Sequence, residues 1–116
     1  MPQNKKIKIA LLSSFTLDLL PKAIEPHLQR NNWFGEFYLA GFGQYEREIL
    51  DPGAELYRFE PELIILSLAG EDLFAGLFAH LTDWNTGQLK TSAEAQAARV
   101  AGLVSQLHQR LPTANI

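Results

Sequence analysis

A short apolar run that ends in two serines constrains this chain more than any other stretch. Ile7 to Leu12 is apolar except at Lys8, which is how a strand buried on both faces reads. The run breaks at Ser13-Ser14 and resumes with Leu17, Leu20, Ile24 and Leu28 at helical spacing. A buried strand that stops at small hydroxyl residues before a helix delivers those hydroxyls to the carboxyl edge of a sheet. Open α/β folds keep their ligands at that edge. Ser14 is therefore the first candidate for chemistry.

The remaining elements follow in alternation. Thr16 is a fair N-cap, but Pro21 and Pro26 each lack an N–H and crowd the preceding turn. The regular helix is therefore expected from Pro21, with 16–20 a turn and Asn31, Asn32 and Gly35 closing it. Strands are expected at 36–40 and, most clearly, at 62–68 (ELIILSL). Between them, Gly41-Phe42-Gly43 permits close backbone approach. A short helix from Gln44 to Leu50 stops at Asp51-Pro52-Gly53, and a helical turn over 54–59 ends at Pro61. A helix is expected from Asp72 to about Leu81, then a polar loop from Thr82 to Lys90. Thr91 and Glu94 form a capping-box pattern for the last helix. Ala93, Ala97, Val100, Val104, Leu107 and Leu111 recur there as a single stripe. Pro112 stops it, and Thr113 to Ile116 reads as the start of another strand.

Helical crossovers between buried strands imply a parallel sheet with helices on both faces. The expected fold is a single α/β domain over 1–116, a three-layer α/β/α sandwich with strand order 2-1-3-(4). At 47% hydrophobic and 20% charged, the chain has the composition of a globular domain rather than a disordered one. Its net charge of −3 comes without a basic stripe, so nucleic acid is not an expected partner. The absence of cysteine excludes disulfides, thiolate catalysis and Cys-ligated metal. His27, His80 and His108 are not spaced as metal ligands, and neither metal nor cofactor is expected. No segment approaches the ~20 apolar residues of a membrane span, and a cytoplasmic location is the plain expectation. The stop at the start of a strand suggests a C-terminally truncated piece of a longer polypeptide. The alternative is a short edge strand that closes the domain. On the first reading, an unfinished sheet edge would favour a homodimer or lower stability than a version extended by one α/β unit.

Ser14-Phe15-Thr16 after the first strand resembles the nucleophile block of the SGNH (GDSL-like) hydrolases, with Leu12-Ser13 in place of the usual Gly-Asp. That likeness implies a serine hydroxyl aimed at an acyl carbonyl; a helix-capping role for Ser13 or Ser14 is the alternative. It further implies an oxyanion-binding backbone at Gly41 and Gly43, with Gln44 beside them, or else a tight turn that needs glycine. Ala69-Gly70-Glu71-Asp72 falls where those hydrolases carry Gly-x-Asn-Asp, with Glu71 at the asparagine position. Glu71, when ionised, accepts hydrogen bonds and repels a developing oxyanion. The Asp-x-x-His block that supplies their base is absent, and a serine without a base is a weak nucleophile.

Several stretches taken in order carry a wider resemblance: Ile9 to Leu20, Gly41-Phe-Gly-Gln-Tyr45, Leu50 to Tyr57 with Phe59-x-Pro61, and Leu63 to Leu66. Together they are similar to the N-terminal region of FkbH-like proteins, which place an SGNH/flavodoxin-type domain before a haloacid-dehalogenase-type (HAD) phosphatase domain. The resemblance implies an accessory domain in natural-product (polyketide-type) biosynthesis. Its expected partner is an acyl carrier protein or the C-terminal HAD domain of the same polypeptide, in glyceryl transfer to that carrier. Two other functions stay open: an acyl esterase or acyltransferase using Ser14, and a structural or dimerisation module.

Overall fold

The structure, a computed structural model, describes residues 5–41, 43–69, 72 and 85–116. Its described elements are β1 (Lys5–Ser13), α1 (Leu20–Arg30), β2 (Trp33–Leu39), α2 (Tyr45–Leu50), α3 (Glu55–Phe59), β3 (Leu63–Ser67) and α4 (Thr86–Arg110). The expected helix from Asp72 to Leu81 lies outside the described residues except for Asp72 itself.

The strands form a parallel sheet in the order β2-β1-β3. Ile9 pairs with Phe37 on one side and Leu63 on the other, and Leu11 pairs with Leu39 and Ile65. β1 is the middle strand, and Ile9, Ala10, Leu11 and Leu12 are all buried. Its unbroken apolar run is the consequence of having both faces covered. Beyond β3, Asn115 makes a parallel bridge to Leu63. Its N–H donates to Glu62 O at 2.9 Å, and its carbonyl accepts from Ile64 N–H at 2.7 Å. The fourth position of the sheet is thus begun where 2-1-3-(4) puts it.

Right-handed crossovers then distribute the helices. β1 to β2 moves one way along the sheet, and β2 to β3 to Asn115 moves the other. α1 accordingly covers one face, and α2, α3 and α4 cover the opposite one. On the α1 face a Cβ at Gly35 would meet Leu28 Cδ1 at 2.9 Å and the Phe37 ring at 2.6 Å. Gly35 therefore lies inside β2, letting the helix come close. It does not end the preceding turn as expected. Asn31 and Asn32, the latter at φ 60°, make that turn without it, so β2 begins at Trp33 rather than Glu36. On the other face Ala10, Leu12 and Ile64 pack with Tyr45 and Ile49 of α2, Leu56 of α3 and Leu103 and Leu107 of α4.

α4 departs from the sequence reading at both ends of its argument. It starts at Thr86, because Asn85 accepts from Gln88 N–H at 2.8 Å while Gln88 Oε1 accepts from Asn85 N–H at 2.9 Å. This reciprocal capping box lies six residues before the expected one at Thr91, and Thr91 instead donates its hydroxyl to Gly87 O at 2.9 Å. The buried line is also rotated. Leu103 and Leu107 are the buried residues, Val100 and Val104 are half-buried, and Ala93 and Ala97 are exposed. The sheet reaches only the C-terminal third of the helix, so the alanine end of the stripe carries no packing demand from it.

A polar cluster ties α2 and α3 to the sheet. Tyr38 on β2 donates to Glu48 Oε1 at 2.8 Å, and Leu56 N–H donates to Oε2 at 3.3 Å. Tyr57 donates its hydroxyl to Ile49 O, while the Arg110 guanidinium lies 5.3 Å from its ring. Lys8 donates to Phe59 O at 3.1 Å at the end of α3, and Arg99 ion-pairs with Glu46 between α4 and α2. A buried carboxylate such as Glu48 is tolerable because both of its oxygens have donors.

Two outcomes follow for stability. Leu103→Ala should cost about 2–5 kcal/mol in denaturant unfolding, whereas Ala93→Ser should cost no more than roughly 0.5 kcal/mol. Burial, reinforced by the Glu48 carboxylate, raises the Tyr38 phenol above its ordinary value. The folded state therefore keeps a proton that the unfolded chain releases near pH ~10. That contribution is complete below pH ~10 and is lost as pH rises through the higher folded value. Tyr57 is raised too, so Tyr38→Phe should lessen, without abolishing, the fall of stability above pH ~10. Unchanged slopes in unfolding titrations would contradict the placement of Tyr38.

Candidate functional site at the carboxyl edge

The carboxyl ends of β1, β2 and β3 share one edge, so the loops that follow them meet there. Order β2-β1-β3 sends the chain leaving β1 and the chain leaving β3 in opposite directions, which opens a crevice between those two strand ends. Ser14 sits in that crevice, 7% exposed. Its N–H donates to Ser67 O at 3.2 Å, and its Oγ accepts from Ala69 N–H at 2.8 Å. The hydroxyl thus staples the end of β1 to the loop after β3. Ser13 has a different local role. Its Oγ accepts from Phe15 N–H at 2.9 Å, a hydroxyl turn that swings the chain out of the sheet toward α1.

Gly41 and Gly43 form the turn after β2. Gln44 N–H donates to Gly41 O at 2.9 Å, closing four residues. Gly43 takes φ 67° at the third of them, where glycine carries no Cβ penalty. Ala40 N–H donates to Leu11 O at 3.2 Å, so this turn begins directly beside the end of β1. Gly70 and Glu71 lie outside the described residues. Asp72 is exposed, and its N–H donates to Ala69 O at 3.0 Å.

The geometry therefore brings Ser14, Gly41 and Gly43 to one edge, with Gln44 opening α2 and Ala69 leading toward Asp72. It does not bring the described histidines. His27 and His108 fall in the last turns of α1 and α4. Helices of parallel crossover units run back against the strands, so those turns lie toward the amino edge. His80 is outside the described residues. Among the described residues no group of His, Asp and Glu could hold a metal ion, and no helix is long and apolar enough to cross a membrane.

A pocket of about 250 Å³ opens on the β1–β2 side of the edge, beside the crevice rather than in it. Ser13, Phe15, Thr16 and Asp18 line it from the β1–α1 loop, with Ala40 and Gly41 from the end of β2. Ser13 and Asp18 are not marked by the Ser-x-Thr spacing, which singles out Ser14 and Thr16. The usable signal was the alternation of Ser13, Phe15 and Leu17, which a hydroxyl turn at Ser13 aims along one side of the loop.

No protein-family model matches the chain, and no curated protein matches it. Among solved structures it is similar to the N-terminal part of the protein BF1531 from Bacteroides fragilis. That crystal structure contains a phosphatase domain and is complexed with Mg. Identity is 28% and the TM-score 0.71, over 88% of this chain and 26% of that one. The chain spans about a quarter of the length of its structural relative. This likeness fits the N-terminal region of an FkbH-like protein of the haloacid-dehalogenase type, and the α/β fold is common to both.

Ser14→Ala removes the acceptor of the Ala69 N–H and should destabilise the protein by about 1–3 kcal/mol. Denaturant unfolding of the variant measures this directly. A midpoint equal to that of the native chain would mean that the staple carries no load.

Proposed function

We propose that this chain is a non-catalytic accessory domain in front of a phosphatase-type domain of the same polypeptide. In this reading it binds or positions an acyl carrier protein, or the acyl group that protein carries, in natural-product biosynthesis. The observation that carries the reading is the state of Ser14. Its oxygen is engaged by Ala69 N–H, it is buried, and the described histidines sit in the last turns of α1 and α4, away from it. A nucleophilic serine needs a base within hydrogen-bond reach to take its proton. An oxygen used as an acceptor in a staple between two strand ends is suited to shape the edge instead.

Two things support the accessory role. One is the likeness over 88% of the chain to the N-terminal part of a phosphatase-domain protein. The other is the sequence resemblance to FkbH-like proteins, whose phosphatase-type domain is linked to loading a glyceryl unit onto an acyl carrier protein. Aromatic residues of the Leu50 to Pro61 stretch, one of those that carry the resemblance, fit a scaffold. Tyr57 holds the carbonyl of Ile49, and Phe59 lies 5.6 Å from the Tyr38 ring.

An SGNH-type esterase or acyltransferase is the second reading, favoured by the position of Ser14 at the carboxyl edge. Its parallel sheet order is the one expected of that fold. The two readings separate in one pair of measurements. An accessory domain should show no Ser14-dependent turnover of short p-nitrophenyl esters, while acylated carrier protein should perturb the amide resonances of Phe15, Thr16 and Gly41 in an NMR titration. Turnover abolished by Ser14→Ala would instead establish the esterase. Neither turnover nor perturbation would leave the domain a structural module.

A further inference from the structure

We infer that the 250 Å³ pocket between the β1–α1 loop and the end of β2 is a subsite for a small uncharged molecule. That molecule would have a short apolar body and an amide- or hydroxyl-type head that donates a hydrogen bond, and anions would be rejected. The inference rests on the carboxyl edge being the binding edge, and it adds what that edge selects.

The lining divides cleanly. Leu11, Phe15, Leu17, Leu39 and Ala40 supply an apolar wall, and Ser13, Thr16 and Asp18 supply oxygen atoms. At about 30 Å³ for a water-sized group, 250 Å³ has room for a ligand of roughly six to eight heavy atoms. Among the described residues, Asp18 is the one ionisable residue of the lining, and neither lysine nor arginine contributes. An ionised carboxylate accepts hydrogen bonds and donates none. A bound anion would meet Asp18, exposed at the pocket mouth, as a like charge, and would find no cation among the described lining residues in return.

An amide answers each of these features. Its N–H matches the Asp18 acceptor. Its carbonyl matches the Thr16 hydroxyl and that of Ser13, which still has its proton to give while its oxygen accepts from Phe15 N–H. Its hydrocarbon end meets the leucines and Phe15. Phe15 is 40% exposed and Leu19, just beyond, is 76% exposed, so apolar surface continues outward from the pocket mouth. The pocket is also separate from the Ser14–Ala69 crevice. Ligand capture and the staple can therefore be disturbed one at a time.

Butyramide and butyrate are isosteric probes of the whole chain, followed by NMR at increasing concentration. Butyramide should shift the Phe15, Thr16 and Gly41 amides, with an affinity at least tenfold above that for butyrate. Asp18→Lys should reverse the order by admitting butyrate, and Asp18→Asn, which keeps an acceptor oxygen, should retain butyramide. Butyrate binding as well as butyramide, shifts elsewhere only, or an order unchanged in Asp18→Lys would overturn the inference. Its failure is distinct from that of the accessory reading. Carrier binding without butyramide binding removes the subsite alone, and butyramide binding without carrier binding removes the accessory reading alone.

Discussion

Everything in this domain hangs on the burial of β1 between two parallel neighbours. Ile9, Ala10, Leu11 and Leu12 turn alternately to the two faces, and all are buried. A strand so placed must have both its hydrogen-bonding edges filled and both its faces covered, since an unpaired backbone group or an uncovered leucine there would cost free energy. β2 and β3 meet the first demand. α1 meets part of the second on one side, and α2, α3 and α4 meet it on the other. The single bridge at Asn115 continues the same logic beyond β3.

The carboxyl edge inherits its shape from that arrangement. Because β2 and β3 flank β1, the chain must leave β1 toward one face and leave β3 toward the other. The resulting crevice contains Ser67 O and Ala69 N–H, backbone groups that need partners. Ser14 supplies both, its N–H to one and its Oγ to the other. A buried serine at the carboxyl edge is thereby used as a fastening. Ser13, one residue earlier and on the opposite side of the strand, turns the loop outward and shapes the pocket beside it. Two adjacent hydroxyls thus divide the structural work of the edge.

Much of this was legible along the chain. The three strands, the parallel order with β1 in the middle, the start of α1 near Pro21 and the beginning of a fourth strand position all follow from local pattern. Proline and glycine punctuation and unbroken apolar runs carry that information. Gly35 misled because a glycine in a strand and a glycine in a turn look alike until the helix above it is known. Thr91 misled because Thr91 with Glu94 and Asn85 with Gln88 are both capping boxes, and only the backbone path shows which one is used. The register of the α4 stripe could not be read either, since Ala93 and Leu103 both count as apolar but the sheet reaches one of them.

By itself, the sequence determined the fold class and the edge at which the loops would gather. Strand burial and crossover handedness are properties of short stretches and their order. Tertiary structure decided which group the Ser14 hydroxyl meets. A serine hydroxyl is equally able to attack, to cap a helix or to accept a hydrogen bond. Which of these occurs depends on the group that comes to lie within 3 Å of it, and that group, Ala69 N–H at 2.8 Å, is 55 residues away along the chain.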